Sequence, residues 1–186
     1  MAAKPDDVLG FWFEDCTPEQ WLAKNDAFDA ALKMRFGACC NAAATGALDG
    51  WAADGRGALA LVLVLDQFPR NLYRDDPRAW ATDGAALMVA EAAIMQGWDA
   101  ALAPLERMFL YLPFQHAEDR VLQARSVALY TALDEEPGAH PKALESARRH
   151  REIVERFGRF PHRNAVLGRT STPDELAFLE EPDSSF

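Results

Sequence analysis

Eight consecutive apolar residues, Ala58-Leu59-Ala60-Leu61-Val62-Leu63-Val64-Leu65, run without interruption into Asp66. A run with no polar side must be enclosed on every face, whether it is a helix or a strand. Its length and its Val and Leu content fit either. A strand needs a partner, however, and no other stretch alternates apolar and polar residues between turn signals. The run therefore reads as a fully buried central helix. It is far too short to cross a bilayer.

Helix signals dominate the rest of the chain. Thr17-Pro18-Glu19-Gln20 and Thr172-Pro173-Asp174-Glu175 are capping boxes with proline at the first helical position. Asp76-Pro77 reads as a third such start, of a helix running to Gln96 and stopped by Gly97. On it Trp80, Leu87, Ala90 and Ile94 fall near one face. Further helices are expected at about 5–14, 25–36, 38–53, 57–68, 104–112, 118–135 and 141–157. The expectation is an all-α chain, a compact stack of about ten antiparallel helices with short connections, forming one domain over residues 1–186 with a short tail from about 176. A tetratricopeptide period is matched by Trp80, Gly84 and Leu87 only in the first helix of a repeat.

Charge is unevenly distributed. The chain carries a net −10, which argues against general nucleic-acid binding. Yet between His140 and Arg169 stand Lys142 and seven arginines against Glu145, Glu152 and Glu155, so this segment needs acidic partners from elsewhere. Within it, Arg156-Phe157-Gly158-Arg159-Phe160-Pro161-His162-Arg163-Asn164, closed by Gly168-Arg169-Thr170-Ser171, sets polar heads on a shaped loop, because Gly158 and Pro161 break a helix. Three cysteines, two of them adjacent, make neither a disulfide framework nor a zinc spacing. With no basic-then-apolar leader at the start, a reducing cytoplasm is the expected location.

Three blocks, taken in order, resemble the bacterial domain of unknown function 924 family. They are Leu65-Asp66-Gln67-Phe68-Pro69-Arg70-Asn71 with Leu72-Tyr73-Arg74, Leu112-Pro113-Phe114-Gln115-His116-Ala117-Glu118-Asp119, and Arg156 to Arg169 running into Ser171-Thr172. Phe11-Trp12-Phe13 and the final Ser185-Phe186 also fit, so the resemblance spans essentially the whole chain. It implies a compact helical fold similar to tetratricopeptide repeats, a TPR-like superhelical bundle, and it implies no activity.

The candidate site residues come from these blocks. Asp66 follows an apolar helix at its C-terminal end, where the dipole disfavours negative charge, so it needs a cationic or hydrogen-bonding partner. Arg70, one turn on, is a local candidate if the helix passes Pro69; Arg159 and Arg163 are distant ones. Arg70, Arg159, Arg163 and Arg169 together exceed what Asp66 alone neutralises, and guanidinium forks bind carboxylate or phosphate at two points. Asn71 and Asn164 would orient a ligand. His116 is a candidate proton carrier, oriented by Glu118 or Asp66, and His162 a second candidate base. Glu118 and Asp119 also suit a helix N-terminus. No two histidines have helical metal spacing, so no metal is expected; nor is a cofactor, since no phosphate-cradling loop or dinucleotide fingerprint is present.

Three readings stay open on the sequence. The first is a pocket lined by Asp66, Arg70, Asn71, His116, Glu118, Arg159, His162, Arg163, Asn164 and Arg169 that binds a small anion or an acidic peptide terminus. The second is a hydrolase or lyase with His116 or His162 as general base, Glu118 assisting. The third is a protein-interaction scaffold whose polar cluster is an internal strut. The tail adds one idea, that Phe186 docks with its terminal carboxylate on an arginine of the cluster.

Overall fold

A computed structural model describes residues 3–22, 24–182 and 184–185, with Leu22 described through its backbone alone. In chain order the helices are α1 Pro5–Gly10, α2 Pro18–Leu22, α3 Asp26–Ala44, α4 Gly55–Val62, α5 Phe68–Leu72, α6 Asp83–Met95, α7 Pro104–His116, α8 Arg120–Asp134, α9 Ala143–Phe157 and α10 Pro173–Leu179. The described residues contain no strand. The chain is all-α, as its patterning requires.

The apolar run is the central element. Residues Ala58 to Leu65 are each at most 2% exposed, enclosed by α1, α3, α6 and α7. Asp54 caps the start of α4 by accepting from the Gly57 amide at 2.8 Å. Gly57 is required there, since a Cβ would lie 1.9 Å from the Trp51 carbonyl oxygen. The run does not end at Asp66, contrary to expectation. One wide π-helical turn, Leu63–Gln67, carries the chain from α4 into α5, closed by the Phe68 amide donating to the Leu63 carbonyl. Pro69 lacks the N–H that would reach the Leu65 carbonyl, and the Thr82 hydroxyl donates to that carbonyl instead. Asp66 therefore lies inside a continuous helical rod and is fully buried.

Three other boundaries differ from the sequence reading. Gly37 does not divide two helices; α3 runs through it, because Phe28, Leu32, Phe36, Cys39, Cys40 and Ala43 bury one continuous face. Asp76-Pro77 opens only a short 3₁₀ turn, Pro77–Ala79, capped by Asp76, and α6 begins at Asp83. Glu118 precedes α8, which Asp119 caps through the Val121 and Leu122 amides. The stops at Gly97 and Gly158 are as read, both with φ near 70°, which glycine accommodates best.

The main core joins residues from Val8 to Ala147, including the aromatic group Trp12, Phe36, Phe68 and Phe109. A smaller cluster of Ile153, Val154, Phe160 and Phe178 lies under the basic segment. It anchors the 158–172 loop between α9 and α10. Helices α7, α8 and α9 pack in succession, and this puts the end of α7 beside that loop. The free thiols of Cys16, Cys39 and Cys40 are buried as small core groups.

Candidate functional site

The three motif blocks meet in space. Asp66, delivered by the π turn, receives the His116 ring at 2.8 Å between Nδ1 and Oδ1. Gln67 Nε2 donates to the other carboxylate oxygen. Arg70 continues the helix past Pro69 and bridges two acids, with Nη1 3.4 Å from Asp66 Oδ1 and a two-point contact of 3.1 and 3.0 Å to Asp83. Asp83 opens α6, where the helix dipole favours an acid. Burial alone would raise the Asp66 carboxyl; Arg70 and His116 outweigh it and hold Asp66 below the usual carboxylate range. Asp66 is thus ionised and His116 Nδ1 carries the proton.

His116 is the last residue of α7. The carbonyls flanking it, of Gln115 and Ala117, accept from the buried Gln123 amide at 2.6 and 2.8 Å, which fixes the end of the helix. Burial and the Arg70 charge lower the His116 pKa, with Asp66 opposing. The ring is neutral at pH 7, and Nε2 keeps its lone pair. His116 packs against His150, ring centroids 6.1 Å apart. His150 and His162 flank Phe160, and burial pushes their pKa values down to about 3 and about 4.

Glu118 ties the third block to the second. It accepts from Arg169 at 2.6 and 2.9 Å and from the Phe160 amide at 2.7 Å. Arg169 also donates to Asn164 Oδ1, and Asn164 donates to Ser171 Oγ. Arg159 makes a separate two-point pair with Glu175, at 2.6 and 2.8 Å. These residues clamp the loop. Asn71 is elsewhere and donates to Asp29.

What the clamped loop holds in place is Arg163. Its side chain is 8% exposed, yet none of its side-chain N–H groups hydrogen-bonds a described residue. The nearest carboxylate oxygen, on Asp83, lies 3.6 Å from Nη1, and Nε has no acceptor. The guanidinium rests instead on two aromatic faces, 4.6 Å from the Phe160 centroid and 5.6 Å from that of Trp80. Burial and the Arg70 charge lower its pKa from the ordinary guanidinium range to about 10.

A cleft of about 350 Å³ opens over this group. Asp83, His116, Glu118 and Arg163 supply its polar lining, and Trp80, Leu87, Leu167, Pro77 and Pro113 its apolar walls. Of the ten candidates, His116, Glu118 and Arg163 line the cleft, and Asp66 and Arg70 lie directly beneath. Asn164 and Arg169 brace it, His162 packs on Phe160 and is not among the lining residues, and Asn71 and Arg159 belong to other parts of the surface. Sequence reasoning missed Trp80, Leu87 and Leu167 as walls. The Trp80–Gly84–Leu87 spacing was the available signal. The position of Phe186 lies outside the described residues.

Comparison with known proteins places this chain in a family. A family model described as a bacterial protein of unknown function, DUF924, matches residues 8–183. Among solved structures, the fold is similar to that of a protein of unknown function from Agrobacterium tumefaciens, with a TM-score of 0.87 and 44% identity over 95% of this chain and 96% of that one. No curated protein matches the chain.

Proposed function

The chain belongs to the bacterial DUF924 family, and we propose that it binds a small acid, carboxylate or phosphate, through Arg163 in the cleft between α6, the end of α7 and the 158–172 loop. The observation that carries this reading is the Arg163 side chain, a buried cation with its hydrogen-bonding capacity unspent. An arginine serving as a strut would be hydrogen-bonded to its acid, as Arg70, Arg159 and Arg169 are, whereas Arg163 has only a long ion pair with Asp83, at 3.6 Å. A buried charge without hydrogen bonds costs stability, and an acid bound in the cleft would supply the missing acceptors.

The cleft suits a small molecule better than a peptide, for about 350 Å³ is at the low end of ligand-site volumes. Trp80, Leu87 and Leu167 would hold the apolar body of the acid, and Arg163 its anionic end. The free, buried thiols agree with a reducing cytoplasm as the working location.

Titration calorimetry with a panel of small carboxylates and inorganic phosphate tests the reading. At least one member should saturate the wild type. Arg163→Met should weaken that binding by about 100-fold, the worth of two charge-assisted hydrogen bonds. If no member binds, or if the variant binds as tightly as the wild type, the reading falls.

A further inference from the structure

We propose that the Asp66–His116 pair is a general-base dyad that takes a proton from carbon 3 of a small 2-oxo acid held on Arg163, which would make the protein an enolising enzyme. The proposal rests on the binding reading above and assigns that cleft a substrate class and a reaction.

Four features of the site carry it. First, the ionised Asp66 accepts from His116 Nδ1 at 2.8 Å, so the tautomer is fixed and Nε2 is the ring nitrogen that keeps its lone pair, on a residue that lines the cleft. Second, the described residues lining the cleft include no Ser, Thr, Cys, Tyr or Lys. The base has no protein nucleophile to activate and must act on the substrate itself or on water. Third, Arg163 supplies one cation with open donors, while Arg70 and Arg169 are committed to carboxylates. Hydrolysis would need one group to anchor the acid and another to stabilise the tetrahedral oxyanion. Enolisation of a 2-oxo acid needs one fork only, spanning a carboxylate oxygen and the neighbouring keto oxygen on which the charge develops. Fourth, Asp66 stands in a π-helical turn, an irregularity often kept at functional sites.

The step balances without a further reactant. The C3–H bond breaks and its proton passes to Nε2. The electron pair forms the C2–C3 double bond, and the C2 oxygen takes the negative charge against Arg163. Reversal delivers a proton from Nε2 to C3. In D₂O, where the Nε2 proton exchanges with solvent, the returned atom is deuterium.

The test follows the C3 methylene signal of 2-oxobutyrate in D₂O by proton NMR, with binding measured in parallel by calorimetry. Wild type should wash out the signal catalytically, and His116→Gln should slow the exchange by about 100-fold or more. Asp66 acts through His116 as a positioning residue. Asp66→Asn should slow exchange and also remove the Nδ1-protonated signature of His116 from nitrogen-15 spectra, a change that loss of stability alone does not produce. Circular dichroism identifies a variant that fails to fold, and His116→Gln carries the test in that event. Saturable binding of 2-oxobutyrate with no exchange above buffer overturns the dyad and leaves the binding reading intact. Exchange that survives His116→Gln also overturns it. Absence of 2-oxobutyrate binding overturns the proposal too, and the binding reading falls with it only if the whole calorimetric panel fails.

Discussion

Replacing Arg163 by methionine separates a ligand-binding arginine from a structural one. The guanidinium pKa is lowered from its ordinary value to about 10, chiefly by burial. A cation whose pKa falls on folding is stabilised in the unfolded chain, so at neutral pH its charge opposes folding. At about 1.4 kcal/mol per unit, the cost is on the order of 3 kcal/mol. Contacts with the Phe160 and Trp80 rings return about 1–2 kcal/mol. Methionine keeps much of the apolar stem's packing and removes the charge, while Asp83 keeps its two-point contact with Arg70. Without ligand, Arg163→Met should therefore be as stable as wild type or more stable by about 1–2 kcal/mol, raising Tm by a few degrees. A strut makes the opposite demand, since breaking a buried pair costs about 3–5 kcal/mol. Scanning calorimetry of ligand-free protein, with urea melts alongside, reads the difference. A Tm lower than wild type by more than about 5 °C refutes the reasoning. Arg159→Met is the internal control. It strands the Glu175 carboxylate, which is 2% exposed, and should lower Tm.

Two further outcomes follow from the clamp and the histidines. Glu118→Gln removes the charge-assisted contacts to Arg169 and loosens the loop that presents Arg163, so urea melts should show a loss of about 1–3 kcal/mol and calorimetry a weaker affinity. His150 and His162, lowered to about 3 and about 4, stay neutral when folded but protonate near pH 6.5 when unfolded. Their contribution is complete above about pH 7 and is lost as pH falls below about 6.5; His150 alone should cost about 2 kcal/mol between pH 7 and 5, and a urea midpoint unchanged over that range contradicts it.

The helical class was legible because the apolar run, the caps and the glycine stops are local signals with fixed stereochemistry. The π turn was not. A helix crossing Pro69 with an extra residue per turn is chosen by tertiary contacts, here the Thr82 hydroxyl and the His116 ring, and both are remote in sequence. For the same reason Asp66 read as a helix end. Arginine pairing was equally opaque, since many acids compete for each guanidinium and only packing decides. Asn71 and Arg159 looked like site residues through proximity in the chain, and their partners Asp29 and Glu175 draw them elsewhere. Arg163 had the same appearance in the sequence. It differs from its neighbours only in what the folded chain leaves undone around it.

The most direct measurement follows the Arg163 Nε–H and Trp80 indole resonances of nitrogen-15-labelled protein during titration with 2-oxobutyrate, other small carboxylates and inorganic phosphate. The account predicts that one of these acids moves both signals along a single saturable curve, and that Arg163→Met abolishes the Trp80 response. Saturable shifts confined to Arg156 and Arg159, or an Arg163 signal that no acid moves, would contradict it.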